Sequence, residues 1–306
     1  YNVMHSQRGQ IGLFHSDGQR DAAVRRANSI RNQGDDAELL SVDQLRKMLP
    51  YLDYDQGRFP IYGGLLQRRA GTARHDAVAW GYARACSDMG MHILQKTEVT
   101  GINQQGGNVT GVDTSRGHIS CKKLGMVVAG HASVVADMAG FQLPIESVPL
   151  QALVSEPIKP CMDVVVMANT VHGYMSQSDK GEMVIGGGTD AYNAYTQRGS
   201  FHHLEETVRA LIETFPMVSR LKMLRHWGGI VDVTGDRSPI LSKTPLGNTF
   251  INCGWGTGGF KAIPGSGWGF AELMAKGESP LTAEFGLDRF RAGRFIDESV
   301  AAGVAH

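Results

Sequence analysis

The sequence predicts an α/β protein built from two units that are interleaved along the chain. Three observations lead to this fold class. A strand, a glycine-rich loop and a helix follow one another near residues 248–277, and a set of short strands leads into a buried strand near residue 125. Residues 148–230 hold several strand-like runs and one long helix, as in an antiparallel sheet with helices on one side.

The glycine-rich loop is the densest motif. Cys253–Gly267 reads CGWGTGGFKAIPGSG, in which six of fifteen residues are glycine and Lys261 is the one cation. The helix that follows, Trp268–Lys276, is predicted to end at Gly277. Glycine lets a backbone approach a flat ligand, and a helix start offers free N–H groups and partial positive charge. A glycine turn without a ligand is the alternative, but the density and position of the glycines favour a binding loop.

In chain order, Gln10–Phe14 is predicted as a strand and Asp21–Gln33 as a helix, and Ser41 as the N-cap of another helix. Within residues 63–85 the apolar spacing predicts a helix from Asp76 onward, so Arg74 and His75 lie at its start. A histidine there is usually a polar capping residue. The functional alternative is a ring nitrogen that acts as a ligand or nucleophile, with Arg74 suited to an anion or an electron-rich ring.

The remaining elements complete the two units. Strands are predicted at His92–Leu94, Glu98–Ile102, Val109–Thr114, Gly117–Cys121, Lys123–Ala129, Gln151–Ser155, Met183–Gly186, Met217–Trp227 and Ile240–Ser242. Helices are predicted at Ala132–Ala139 and Leu204–Phe215, with a terminal helix pair over Leu287–Val300. An antiparallel meander that leads to a buried strand ending in Ala-Gly is typical of flavoproteins with two dinucleotide-binding domains.

Composition excludes several classes of function. The chain has 306 residues, and its 30 Lys and Arg balance its 30 Asp and Glu, so no nucleic-acid partner is indicated. No apolar run approaches the roughly 20 residues that span a bilayer, so no membrane partner is indicated either. Four scattered cysteines without a CxxC indicate a reducing, cytoplasmic setting and no zinc site. The His202-His203 pair is more typical of a solvated helix entry than of a metal site, because neighbouring helical side chains diverge by about 100°.

Several stretches in the same order resemble the D-amino-acid-oxidase family of flavoproteins and, within it, the group of beta subunits of heterotetrameric sarcosine oxidases. They are QRRAGTARHDAVAWGYARA, PLQALVSEPIKPC, SQSDKGEMVIGGGTD, WGGIVDVTGDRSPI and CGWGTGGFKAIPGSG. The resemblance covers essentially the whole chain. It implies an FAD/NAD(P)-binding fold with an interleaved antiparallel-sheet substrate domain. The FAD-binding domain is expected at residues 63–147 and 231–306, and the substrate domain at 1–62 and 148–230.

The resemblance also implies a chemistry. FAD, bound non-covalently, oxidises sarcosine or a similar N-methyl amino acid. Electrons pass to an FMN attached covalently to His75, and oxygen reoxidises that FMN to give hydrogen peroxide. Alpha, gamma and delta subunits are the expected partners. Lys261 matches the lysine that binds the substrate carboxylate, and the other expected cofactor contacts are Arg74, Val99, Ala129, Gly130, Gly254, Gly256, Gly258, Gly259 and Phe260.

One departure from the family bears on cofactor binding. No early G-x-G-x-x-G motif with an acidic residue about 20 positions later is found in the sequence. We therefore expect that an N-terminal piece of a larger subunit is missing, and that residues 1–306 alone hold FAD poorly and are unstable. Two other hypotheses stay open: a related dehydrogenase that passes electrons to a carrier, and a truncated scaffold without flavin.

Overall fold

The computed structural model describes residues 1–55, 58–171 and 173–296. Its strands are β1 (Gln10–Phe14), β2 (Glu38–Leu40), β3 (Gly63–Gln67), β4 (Val99–Gln105), β5 (Asn108–Thr114), β6 (Gly117–Ser120), β7 (Leu124–Met126), β8 (Ile145–Pro157), β9 (Val165–Ala168), β10 (Gly173–Gln177), β11 (Glu182–Thr189), β12 (Met223–Thr234), β13 (Ile240–Lys243) and β14 (Thr249–Cys253). Its α-helices are α1 (Asp17–Asn32), α2 (Val42–Met48), α3 (His75–Asp88), α4 (Ala132–Met138), α5 (Phe201–Thr214), α6 (Gly259–Lys276) and α7 (Asp288–Arg291). The predicted α/β fold class is confirmed.

The largest layer is an eight-stranded sheet in the order β12-β8-β11-β10-β9-β1-β3-β2. All neighbours are antiparallel except β1 and β9, which run parallel. One face of this sheet is buried beneath α2, α5 and the loop between α2 and β3. Its core includes Ile11, Leu153, Met175, Ile185 and Val166, packed with Leu45, Leu211 and Phe215 from the covering elements.

A second sheet, β13-β14-β7, has helices on both faces. The side chains of β14 alternate between them: Ile251 and Cys253 pack with Ala132 and Ala136 of α4, whereas Phe250 packs with Phe270 and Leu273 of α6. All five residues of β14 are therefore buried, as expected for a strand that is covered on both sides. Because β7 and β14 are parallel, their carboxyl ends lie at the same edge of the sheet.

The predicted meander is confirmed as a separate sheet, β4-β5-β6. Its first turn uses Gly106 and Gly107, both with positive φ. The predicted cap is confirmed as well: Ser41 and Gln44 form a reciprocal capping box at the start of α2.

Three predicted elements differ from the structure. Residues 92–94 form no strand, because no described strand lies beside them to share hydrogen bonds, and Ile93 and Leu94 are exposed. Residues 216–220 form a 3₁₀ turn, and strand β12 begins only at Met223. Helix α6 begins at Gly259, nine residues before the predicted Trp268, and accommodates Pro264. Packing of its apolar face against β13 and β14 outweighs the low helix propensity of its glycines and proline.

The strand pairing also bears on the predicted domain limits. Strand β3 pairs with β1 and β2 in the large sheet, and the limits at 147/148 and 230/231 fall inside β8 and β12. The division into two domains stays a prediction. Of the predicted helix pair over Leu287–Val300, α7 is present, and residues from 297 onward, which also end the predicted FAD-binding domain, lie outside the described residues.

Candidate functional site

The glycine loop joins the carboxyl end of β14 to the first turn of α6. Gly254 and Gly256 both have left-handed backbone conformations, with φ of 76° and 50°. A Cβ atom on Gly254 would also lie 2.7 Å from Cγ2 of Thr234. Position 254 thus requires glycine for both conformation and space.

An internal carboxylate occupies the concave side of this loop. Asp232, on β12, is 3% exposed, and its Oδ2 accepts a hydrogen bond from the Gly254 N–H at 2.6 Å. The Trp255 N–H also donates to this carboxylate, and the Gly256 N–H donates to the Asp232 main-chain oxygen at 2.8 Å. Any contact of Gly254 or Gly256 with a cofactor would therefore have to use atoms other than these N–H groups.

The N–H groups of the first turn of α6 lie beyond this internal anion. The N-cap residue is Gly258, so no side chain caps the helix start. Lys261 lies in this first turn with an exposed side chain, and Phe260 and Trp268 are 47% and 72% exposed. A Cβ on Gly265 or Gly267 would meet no atom within 4 Å, so α6 is open to solvent at both positions.

The Ala129-Gly130 pair lies at the same sheet edge as the glycine loop. It follows β7 in a 3₁₀ turn, and Ala129 has a positive φ of 47°. A Cβ on Gly130 would lie 2.4 Å from Cγ2 of Ile230, and its carbonyl accepts a hydrogen bond from the Ser147 hydroxyl at 2.6 Å. The turn is thus pressed against β12 and β8.

These residues fit the pyrimidine side of a flavin, which is flat and collects negative charge on reduction. An uncapped helix start, a cation in its first turn and an open glycine face supply the matching surface and potential. Gly258, Gly259, Phe260 and Lys261 are the residues of the loop that could hold such a group. Val99 lies elsewhere, on the first strand of the separate meander sheet, and its contact with FAD stays a prediction.

His75 and Arg74 lie at the start of a different helix. His75 is the first residue of α3, Arg74 is its N-cap, and both side chains are exposed. The Arg74 guanidinium forms two hydrogen bonds with Asp76, at 2.9 and 2.5 Å, which lower the pKa of that carboxyl to about 2. The arginine that was predicted to meet a flavin is thus engaged locally, while the His75 ring faces outward.

Sequence reasoning missed the second face of the large sheet. Tyr174, Gly186, Ala152 and Trp227 are consecutive cross-strand neighbours, so they share the face opposite α5. Tyr174, Ala152 and Trp227 remain partly exposed, unlike Leu153 and Ile185 beneath α5.

The Tyr174 ring packs against Gly186, because a Cβ there would be 2.1 Å from its Cε1. Burial raises the pKa of Tyr174, so it stays a neutral phenol at physiological pH. An aromatic residue next to a glycine, in both GYMSQ and WGGIVDV, is the sequence signal that could have indicated this face.

Several further features bear on alternatives. An apolar cavity of about 250 Å³ lies between α5 and the large sheet, lined by Leu153, Ile185 and Leu204 among others, and none of its lining residues belongs to the glycine loop or α6.

Among the described residues, no group of three or more potential ligands could hold a metal. His202 and Glu206, 3.3 Å apart, are both exposed on α5. Nor does any helix in the described ranges combine the length and apolar character needed to cross a membrane.

Comparison with known proteins gives a consistent assignment. Residues 1–273 match the family described as FAD dependent oxidoreductase. The chain is 67% identical to sarcosine oxidase subunit beta of Rhodobacter capsulatus over all of its length and 74% of that protein. It is 55% identical to the protein of the same name from Rhizobium meliloti, over 97% of the chain and 72% of the relative.

Among solved structures, L-proline dehydrogenase from P. horikoshii superposes with a TM-score of 0.86 at 24% identity, covering 96% of this chain and 79% of that one. At that identity the likeness establishes the fold. The chain belongs to the FAD dependent oxidoreductases and, within them, to the family of sarcosine oxidase beta subunits. It is therefore an oxidoreductase, and FAD is its family's cofactor.

Proposed function

We propose that this chain oxidises sarcosine, or a closely related N-methyl amino acid, to glycine, a one-carbon unit and hydrogen peroxide. The observation that carries the proposal is the exposed Lys261 in the first turn of α6, beside a glycine loop and with no side-chain cap at the helix start. The substrate class comes from the relatives named sarcosine oxidase subunit beta.

Lys261 has the chemistry to bind the substrate carboxylate. Its ammonium group can form a charge-assisted hydrogen bond, and the partial positive charge of the α6 N-terminus acts in the same direction. Fixing the carboxylate at one end leaves the amine and methyl group of a small amino acid only a few orientations, which reduces the entropy lost in reaching the reactive geometry. When bound, FAD supplies the acceptor for the hydride equivalent that leaves the substrate.

The partly exposed face of the large sheet can act as the apolar wall of the site. Tyr174, Ala152 and Trp227 present a partly exposed, largely apolar surface with one phenol. Such a surface favours an N-methyl group and excludes water from the reacting carbon. We infer that this face, more than Lys261, distinguishes N-methyl amino acids from other carboxylates.

His75 is proposed to carry the second flavin, a covalent FMN. Its ring is exposed at the start of α3, so a ligand shared with another subunit could reach it. Arg74 could turn from Asp76 toward the flavin, exchanging one charge-assisted bond for another. Alpha, gamma and delta subunits are the proposed partners, and oxygen is the proposed final acceptor.

Lys261→Met in the assembled enzyme tests the substrate site. Binding of the carboxylate inhibitor methylthioacetate is followed through the flavin absorbance, with Lys276→Met as the matched control at the other end of α6, where the lysine pairs with Glu272. A charge-assisted bond that becomes buried contributes about 1.5–3 kcal/mol, so we expect a ten- to hundredfold weaker inhibitor in the first variant and no change in the control. Equal affinity in both variants would refute the role of Lys261.

His75→Ala tests the second flavin, with His92→Ala as the control because His92 is also exposed and follows the same helix. After acid denaturation, mass spectrometry of this subunit should find FMN attached in the control and none in His75→Ala. FMN that remains attached without His75 rejects the assignment. Oxygen consumption with sarcosine, compared with dye reduction, separates the oxidase from a related dehydrogenase.

A further inference from the structure

The glycine loop takes its shape from one residue of the neighbouring sheet. Two successive loop N–H groups, those of Gly254 and Trp255, donate to the Asp232 carboxylate, and the Gly256 N–H donates to its main-chain oxygen. Consecutive N–H groups that converge in this way form an anion-binding concavity. Here the anion belongs to the chain itself, so the loop holds its left-handed conformations before any ligand binds.

Asp232 also joins the two sheets at this point. It lies on β12, the edge strand of the eight-stranded sheet, whereas the loop extends from β14 of the three-stranded sheet. Lys261 is only five residues beyond Gly256, and a hydrogen bond from the Gly258 N–H to the Trp255 carbonyl at 2.9 Å fixes the part of the chain between them. A displacement of the loop would therefore move the start of α6 and the lysine it carries.

We propose that Asp232 is a positioning residue for the oxidation: through its hydrogen bonds to the loop it fixes the start of α6 and thereby the place of Lys261. This inference rests on the proposed role of Lys261. Asp232 is 3% exposed and acts through the backbone, so it is not itself in contact with substrate. A displacement of about 1 Å at a reacting centre can lower a rate about a hundredfold, which makes the effect measurable.

The test is a double-mutant cycle in the assembled holoenzyme. We expect Asp232→Ala to lower kcat/KM for sarcosine about ten- to a hundredfold, and to lower it less than about threefold when Lys261 is already Met. Asp232→Asn keeps one acceptor oxygen and should restore most of the activity. Asp190→Ala is the matched control, since Asp190 is a buried carboxylate bonded to Gln151 and Ser200. Its effect should add to that of Lys261→Met.

Hydrogen–deuterium exchange gives a readout that does not depend on turnover. In Asp232→Ala the amides of residues 254 and 255 should exchange at least tenfold faster, and those of α5 should not change. Additive losses in the cycle, or unchanged loop exchange, would overturn the proposal.

Should Asp232→Ala not yield folded holoenzyme, the same cycle with Asp232→Asn decides, because a smaller loss must still depend on Lys261. If instead Lys261→Met alone leaves carboxylate binding intact, the proposed role of Lys261 fails and this inference fails with it, whereas unchanged loop exchange in Asp232→Ala overturns this inference alone.

Discussion

The most direct test of the packing around the site is removal of the charge of Asp236. This carboxylate lies in the turn after β12, and both it and Arg289 are almost fully buried, with side-chain exposures of 2% and 5%. The two side chains form paired hydrogen bonds of 2.7 and 3.0 Å. The carboxylate also accepts the Ile296 N–H at 3.2 Å, and Arg289 donates to the Ser238 carbonyl at 2.7 Å.

Two independent arguments give the size of the effect. Burial alone would raise the pKa of Asp236, but hydrogen bonds from Arg289 and from backbone N–H groups outweigh it and lower the pKa from 3.8 to about 2. That shift corresponds to about 2.5 kcal/mol of stability for the ionised form. Removal of one partner of a buried pair typically costs about 3–5 kcal/mol, because the other charge stays buried. Asp236→Asn should therefore destabilise the fold by about 3 kcal/mol.

The assay is thermal melting of the assembled enzyme, with Glu38→Gln as the control in the exposed Arg68–Glu38 pair. A loss of about 3 kcal/mol should lower the melting temperature by several degrees, whereas the exposed pair should contribute little. Because the folded pKa is depressed, the contribution of Asp236 is complete above about pH 4 and is lost between pH 4 and 2. Equal melting temperatures for the two variants would refute the argument from burial.

Two further predictions concern glycines. Gly186→Val places a Cβ 2.1 Å from the Tyr174 ring, so Tyr174 must leave the face of the sheet; we expect a raised KM for sarcosine and altered tyrosine fluorescence, and unchanged kinetics would exclude this face from the site. Gly277→Ala puts a side chain at the C-cap of α6, where φ is 85°; the left-handed conformation should cost about 1 kcal/mol, and a melting temperature at or above that of the parent would contradict this.

The sequence predicted the position of the glycine loop but not what fills it. Glycine density and a following helix are local features, so the loop could be found within fifteen residues of sequence. Asp232 lies 22 residues before Gly254, and only the crossing of β12 over the end of β14 brings them within 2.6 Å. A charged residue between two valines in a strand is the local signal that could have marked it, since a buried carboxylate needs partners.

The boundaries that failed have a common physical cause. Residues 92–94 carry the apolar pattern of a strand, but a strand exists only through its neighbours, and none is described there. Helix α6 begins before its predicted start and includes Pro264, Gly265 and Gly267, residues of low helix propensity, so local propensity could not reveal that start. The contact of Arg74 with a flavin stays a prediction, and Asp76, two residues later, competes for the same guanidinium.

Asp232 and Asp236 lie in one short segment but have different roles. Asp236 stabilises the fold, whereas Asp232 is proposed to position the glycine loop. Both carboxyls are buried, but the partner of Asp236 is a guanidinium, whereas Asp232 is held by neutral N–H groups. Burial therefore raises the pKa of Asp232, and the hydrogen bonds from the loop offset only part of that rise.

The two residues thus affect stability with opposite signs as pH changes. Asp236 loses its stabilising contribution as pH falls through its depressed pKa. Ionisation of Asp232 is less favourable in the folded state than in the unfolded state. Its contribution to the stability of the fold therefore becomes less favourable as pH rises above the ordinary pKa of an aspartate.

If Asp232 contributed only to stability, an apolar residue at position 232 would stabilise the fold more than the buried carboxyl does. Asp232 is a buried acid whose side chain is bonded to the glycine loop. This is the physical argument that its role lies in the conformation of the loop. The stability of Asp232→Asn, compared with that of Asp236→Asn, provides the check. Near pH 7 Asp232→Asn should be at least as stable as the parent, whereas Asp236→Asn should be less stable.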